Sequence, residues 1–486
     1  MPIALALAAS LALHKQGAPR DRYLVDFADT IGLQVRVQAQ LGLVNGALHV
    51  EPYTRDQPGF WSSRVSMLEM RDSTGTRLRV DSASATSWSI AGGYHGAATV
   101  SYIVDLSFAR RPFPSGNQKG GYAENGALYV VTKPLFVTPD TGLAPGSRLV
   151  ELRVPPGWSK ATPWPERTDG VYEADDRRSL TYNTFVVGRF ASGHARVGGF
   201  DATAAFIGPI ARDSAAIAPA FGKVVRAYFD LFPRTPPGRY LMTFFYADHD
   251  DGEGFAGSST VTFGNRIAGG DGILFNNKIA HEVLHYWIGQ RIRPDDFERM
   301  SWMSEGFTEY LANRTIFRTG LISRSEYLEK LSRHVGAYGY FWYSPLFEHR
   351  SLFEAGNDKT RNRFAVYDGG AVAALCLDLM LREATHDRGS LDDLLRLLWD
   401  RRAAQRHTFT TSELTDALVA VGGETFRDFL PKFVFGHDLL PYQEVLAHVG
   451  IRVRAWPLSA EAYLTEDPAP TSAMREARER RLFAVR

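Results

Sequence analysis

From about Tyr23 to Phe200, hydrophobic and polar residues alternate in short runs cut by Gly, Pro, Asp and Ser, as in LQVRVQAQLGLV, ATVSYIVDLSF, GALYVVTKPLFV and SRLVELRVP. Successive side chains of a strand point to opposite faces, so period-two patterning at such regular spacing predicts an antiparallel β-sandwich. The pattern then changes. After strand candidates at Tyr240 to Tyr246 and Ser259 to Phe263, apolar residues recur at helical spacing in Lys278 to Gln290, Ser301 to Phe317, Ser325 to His334, Gly370 to Glu383 and Ser390 to Arg402. Leu321 to Leu331, Leu391 to Leu398 and Phe429 to Leu446 read as helix pairs packed on Leu and Phe stripes, and the tail from Glu466 as a terminal helix or frayed extension. The expected chain is α+β and multidomain: residues 1–20 a signal peptide or tail, 21–200 β-rich, 201–325 mixed, 326–460 helical and 461–486 a tail.

Length and composition sharpen this. At 486 residues the chain exceeds the roughly 250–300 that one core serves, so several domains are expected. Lys plus Arg number 55 against 54 Asp plus Glu, and this near-neutral balance offers phosphate backbones no global attraction, which argues against nucleic acid as a partner. The one cysteine, Cys376, stands in an apolar helix and reads as core. It excludes an intramolecular disulfide and a mainly thiolate metal site, so any metal must rely on His, Asp and Glu. Ile3 to Leu13 has the length of a signal-peptide core, although no basic residue precedes it; the expected location is exported if residues 1–20 are a signal and cytoplasmic otherwise. No other segment approaches 18 uninterrupted apolar residues, so no integral membrane segment is expected, and no pattern sets an oligomeric state.

The chemistry lies in IAHEVLHYWIGQ, where His281 and His285 are four apart with Glu282 beside the first. On a helix both imidazoles share a face and can reach one zinc ion, and Glu282 is the natural general base for a water that the metal activates. A catalytic zinc needs a third protein ligand. In SWMSEGFTEYLA, Ser301 reads as an N-cap, and Glu305 on the helix that follows supplies that ligand. Glu309, one turn on, is the alternative ligand, and more naturally a partner that orients an imidazole.

HEVLHYWIG followed by WMSEGFTEYLA resembles the gluzincin zinc peptidases, the clan of aminopeptidase N and leukotriene hydrolase. The segments IRPDDF, GLISRSEYLEKLSRHV and VYDGGAVAALCLDLMLREAT, together with the PPGW of Pro155 to Trp158, are most similar to the glycyl aminopeptidase branch. That branch carries an LDLxLR pattern, matched by Leu377, Asp378, Leu379, Leu381 and Arg382. The resemblance implies a thermolysin-like catalytic domain over 201–325, a helical C-terminal domain, a peptide substrate, and a role for Tyr367 in stabilising the oxyanion.

The sequence departs from that pattern in several places. The interval from Tyr286 to Ser304 is nineteen residues, one more than in the aminopeptidase N branch. Gly369 stands where the branch carries lysine. At the glutamate that binds a substrate amine in the clan stands Phe255 or Ala256, within GEGFAGSSTV placed just before an edge strand, and neighbouring Glu253 reads more readily as a solvated turn residue. The acidic cluster Asp248, Asp250 and Asp251 lacks the order of a calcium loop. About 30 residues follow Trp456, too few for the PDZ domain common in the branch. His249, His334, His349 and His437 receive no role. The expectation is a zinc metallopeptidase, aminopeptidase-like, with one zinc ion. Its rivals are a zinc hydrolase of the same fold without amine specificity, endo-acting or on a non-peptide bond, and a binding protein derived from such an enzyme.

Overall fold

The computed structural model describes residues 21–54, 56–139, 147–264, 272–401, 407–456 and 458–484, so the apolar run Ile3 to Leu13 lies outside the described residues. The chain divides into two compact units. One comprises Met1–Arg111, Val130–Ser159 and Trp164–Asn183, the other Pro112–Tyr129, Lys160–Pro163 and Thr184–Arg486.

Alternation produces the first unit. In the strand Gln34–Leu43, Val35, Val37, Ala39, Leu41 and Leu43 are buried while their neighbours are not, and this strand pairs antiparallel with Gly96–Asp105, whose Ala98, Val100, Tyr102 and Val104 are buried in turn. They sit inside a seven-stranded sheet in which one pairing, Arg22–Asp26 with Arg148–Arg153, is parallel. A four-stranded sheet accompanies it. Buried Tyr23 and Tyr102 donate their hydroxyls to the carbonyls of Val137 (3.1 Å) and Leu135 (3.0 Å), so both phenols are satisfied inside this core.

The second unit is built on a five-stranded sheet in the order Ala191–Val197, Phe200–Phe206, Gly238–Tyr246, Ser258–Phe263, Asp251–Gly254. Two of its features differ from the sequence expectation. Ser258–Phe263 is an interior strand, and the edge is Asp251–Gly254, so GEGFAGSSTV contains the edge strand rather than preceding it. The parallel pair Phe200–Phe206 and Gly238–Tyr246 is joined by the helix Ser214–Leu231, which buries Ile217, Phe221, Val224, Val225 and Tyr228; Pro219 in its second turn masks the helical signature.

Helices carry the rest. The helix bearing the histidine motif runs from Gly272 to Leu284, not to Gln290, because the chain turns after Leu284 and passes through Gly289 at φ +87°. Its carbonyls at Ala280 and Glu282 accept hydrogen bonds from Tyr228 (2.9 Å) and Tyr240 (3.1 Å), which fixes its height against the connecting helix and the sheet. The next helix is Ser301–Arg318. Met300, not Ser301, is its N-cap, because the preceding turn feeds straight into it: Met300 and Ser301 already donate their amides to the carbonyls of Asp296 and Glu298. Helix Arg324–Tyr343 starts from a Ser323 and Glu326 capping box and runs well past His334. A π-helical turn, Phe364–Gly369, leads into the helix Gly370–Ala384. The hairpin Ile451–Trp456 with Glu461–Glu466, absent from the sequence expectation, is tied to helix Arg324–Tyr343 where the Leu464 amide donates to Ser332 (2.9 Å).

Asp378 and Arg382 of the LDLxLR pattern are structural. Asp378 is fully buried and accepts from Arg314 (2.8 Å), Tyr310 (2.9 Å), Arg382 (3.0 Å) and the Leu391 amide (3.1 Å), which locks helix Ser301–Arg318 onto helix Gly370–Ala384. Phe364–Ala384 is long and apolar enough to cross a membrane by length and composition, but most of it, Cys376 included, is buried inside this unit.

The same two helices also meet through glycine. A Cβ on Gly370 would lie 2.0 Å from the Trp302 carbonyl oxygen and 2.9 Å from Gly306 Cα, whereas one on Gly339, in helix Arg324–Tyr343, would meet nothing within 4 Å. Gly370→Ala is therefore expected to destabilise the protein by about 1–3 kcal/mol, and Gly339→Ala to stabilise it by about 0.5–1 kcal/mol, read from denaturant midpoints.

Candidate metal centre

Helices Gly272–Leu284 and Ser301–Arg318 bring the three sequence-predicted ligands together. His281 Nε2 lies 3.1 Å from His285 Nε2 and 3.3 Å from Glu305 Oε2, and His285 Nε2 lies 3.4 Å from that same oxygen. A tetrahedral ion with ligands at about 2.0–2.1 Å would hold its donor atoms about 3.3–3.4 Å apart, so the spacing fits one zinc among the three. Among the described residues this is the one such group of His, Asp and Glu. His285 stands just past the helix end, and its other nitrogen faces the Ile288 carbonyl at 3.1 Å, which fixes the ring.

Glu309 takes the orienting place rather than a ligand's. Its Oε2 accepts from His281 Nδ1 at 2.8 Å, which turns Nε2 of that ring toward the other two donors. Burial works against charge on His281, yet Glu305 and Glu309 outweigh it and raise its pKa to about 10. Burial likewise opposes charge on Glu309, but the His281 hydrogen bond brings its pKa down to about 2. In Glu305 burial is overcome by Lys359 and His285, which hold the carboxyl well below its usual range. The two carboxylates thus draw positive charge toward the donor set.

Glu282 is 8 % exposed, and its Oε2 is a buried oxygen without a hydrogen-bond partner. Burial raises its pKa, with the two imidazoles opposing. It lies against the edge strand. A Cβ on Gly252 would fall 2.0 Å from Glu282 Oε1, and one on Gly254 would fall 3.2 Å from His285 Cβ, so both positions keep the strand close to the motif by having no side chain. Arg291, following the motif, donates to the carbonyls of Tyr286 (2.7 Å) and Ala256 (3.0 Å) and so pins the turn after this strand. Phe255 points into the interior at 3 % exposure. Neither it nor Ala256 offers a carboxylate, and Glu253 pairs with Lys119 at 3.6 Å.

Tyr367, in the π-helical turn, stands over His281 with ring centroids 6.2 Å apart. Burial and the nearby Glu305 raise its pKa, with Lys359 opposing, so the phenol stays protonated and able to donate. Lys359 is a residue that sequence reasoning missed: its ammonium lies 2.5 Å from Glu305 Oε1 and 5.2 Å from the centre of the Tyr367 ring. No local spacing announces it. His334, given no role from sequence, is also close by, 3.8 Å from Glu309 Oε1.

This segment is recognisable beyond its geometry. Residues 275–367 match the M61 glycyl aminopeptidase family. The match bears out the resemblance read from the motifs, and the M61 segment holds both histidines, Glu282, Glu305 and Tyr367. The fold is similar to that of an aminopeptidase N family protein from Idiomarina loihiensis, at 20 % identity and TM-score 0.74, covering 89 % of this chain and 79 % of that one. It is also similar to an M1 zinc metallopeptidase from Deinococcus radiodurans, at 17 % identity and TM-score 0.58, covering 88 % and 97 %. A variant of a two-domain M1 zinc metallopeptidase bound to L-arginine aligns at 17 % identity and TM-score 0.55, covering 87 % and 94 %. No curated protein matches the chain in sequence. M61 segment, fold and donor set together support a zinc peptidase.

Because Glu309 holds His281 through a single strong hydrogen bond, Glu309→Ala is expected to weaken zinc binding by about 10–100-fold in chelator competition. His281→Ala is expected to abolish stoichiometric zinc, measured by elemental analysis.

Proposed function

We propose that the chain is a zinc-dependent metallopeptidase of gluzincin type, aminopeptidase-like in its substrate, with one zinc held by His281, His285 and Glu305. When bound, zinc supplies Lewis acidity, lowering the pKa of water toward neutrality and polarising a carbonyl. The observation that carries the reading is the partnerless Glu282 Oε2, buried beside the donor triad and against a strand stripped of side chains at Gly252 and Gly254.

In this reading Glu282 Oε2 takes a proton from the attacking water and hands it to the departing amine nitrogen, a transfer favoured by a carboxylate whose pKa burial has raised. Tyr367 donates its phenolic hydrogen to the scissile carbonyl oxygen as negative charge grows there. Glu309 keeps His281 in the tautomer that ligates, and Lys359 offsets the charge of Glu305. The extended substrate lies along Asp251–Gly254, the outermost strand of the sheet, in the manner of an added strand.

A second reading is favoured by the turn at Phe255 and Ala256. With no carboxylate there to meet a free amine, the same machinery would cut blocked or internal bonds. The two readings part in a peptide-library digest with mass-spectrometric readout, run on free and N-acetylated sets with and without a zinc chelator. The aminopeptidase reading expects cleavage of the free set alone, and equal cleavage of both sets would replace it with the second. In either case Glu282→Gln is expected to keep one zinc per chain while lowering turnover by at least about 100-fold. Full activity in that variant would remove Glu282 from the mechanism.

A further inference from the structure

The two helices of the centre face each other through residues four apart. On one side stand Asn277, His281 and His285, and on the other Glu305, Glu309 and Asn313. They meet as three rungs. His285 faces Glu305 (3.4 Å), His281 bonds Glu309 (2.8 Å), and Asn277 Nδ2 donates to Asn313 Oδ1 (2.6 Å). The first rung belongs to the metal and the second orients its ligand. The third is a buried amide pair, with Asn277 7 % and Asn313 0 % exposed, that the mechanism above does not use.

That rung continues. Asn313, having received a hydrogen bond on its oxygen, presents Nδ2 to His334 Nε2 at 2.9 Å. His334 Nε2 must then accept, which places the ring proton on Nδ1, and Nδ1 lies 2.8 Å from Asp368 Oδ1. The chain Asn277, Asn313, His334, Asp368 thus runs in one donor-to-acceptor direction across four elements: both ligand-bearing helices, helix Arg324–Tyr343 and the π-helical turn. It ends on the residue next to Tyr367. Immediately after the turn, Gly370 touches Gly306 of helix Ser301–Arg318.

We propose that this chain of hydrogen bonds positions the Tyr367 phenol against the metal centre, with His334 in the Nδ1–H form as its central positioning residue. The proposal rests on the reading of Tyr367 given above. Asp368 sits in a π turn, whose backbone has a looser hydrogen-bond pattern than an α-helix and needs outside support to hold one orientation. A connected chain of largely buried polar groups supplies such support because breaking a link leaves a group unpaired.

The test is a double-mutant cycle on the fastest-cleaved peptide of the library. His334→Ala and Asp368→Ala are each expected to lower kcat by about 10–50-fold, with KM within about 2-fold and one zinc per chain. In a Tyr367→Phe background, either substitution is expected to change kcat by less than about 2-fold. His334→Asn, whose amide can still donate to Asp368, is expected to recover most of the loss. Asp368→Ala keeps the test open if the His334 variant does not fold. In metal-free protein, 15N-histidine NMR is expected to show an Nδ1–H tautomer signal that disappears in the His334 variants. Losses that multiply with Tyr367→Phe overturn the positioning role alone, as does an Nε2–H tautomer or a loss that follows zinc content. Wild-type kcat in Tyr367→Phe overturns the reading of Tyr367 itself, and this proposal with it.

Discussion

Three carboxylates, Glu282, Glu305 and Glu309, are buried within one small volume between two helices, and that burial is the constraint on which the rest of the centre depends. Isolated charges in a low-dielectric interior are costly, and each must be met by a cation or a hydrogen-bond donor. Glu309 is met by His281, and Glu305 by Lys359 and the imidazoles. Glu282 alone keeps an oxygen without a partner. The buried charge of the first two is thus balanced by these contacts, and the oxygen left unsatisfied is on Glu282, beside the donor triad.

Holding such a site demands close approach on every side, and the chain achieves it with missing side chains. Gly252 and Gly254 admit the edge strand, Gly306 and Gly370 let two helices touch, and Gly289 turns the chain after the motif. The tyrosines act in the opposite sense. Tyr228 and Tyr240 reach from the connecting helix and the sheet to carbonyls of the motif helix and set its position at full length. Asp378 completes the clamp by gathering Arg314, Tyr310 and Arg382, a buried cluster whose single removal would leave unpaired charges in the core.

What could be read from the sequence was what repeats locally. His281 and His285, like Glu305 and Glu309, are legible because each pair stands four residues apart on a helix, Glu282 because it adjoins the first histidine, and strand Gln34–Leu43 because its burial alternates strictly. Lys359, His334 and Asp368 were not legible, since they reach the centre from elements whose mutual placement is set by tertiary packing. The edge strand Asp251–Gly254 was hidden for another reason: its glycines and acidic residues carry no strand propensity, and only its pairing with Ser258–Phe263 reveals it. Helix Ser214–Leu231 was obscured by Pro219, and the hairpin Ile451–Trp456 with Glu461–Glu466 by its position after a helical stretch.

The π-helical turn Phe364–Gly369 has an evolutionary corollary. A π turn is an α-helical turn carrying one additional residue, and each α-helical residue sweeps about 100° around the axis. Deleting a single residue between Phe364 and Gly369 would let the segment relax to a regular helix and swing the phenol roughly a quarter-turn away from His281. Relatives that differ by one codon at this place could keep both histidines and Glu305, bind metal in the same way, and yet present a different group, or none, to the substrate. Chain length within this turn thus sets which way the phenol faces, independently of the histidine motif.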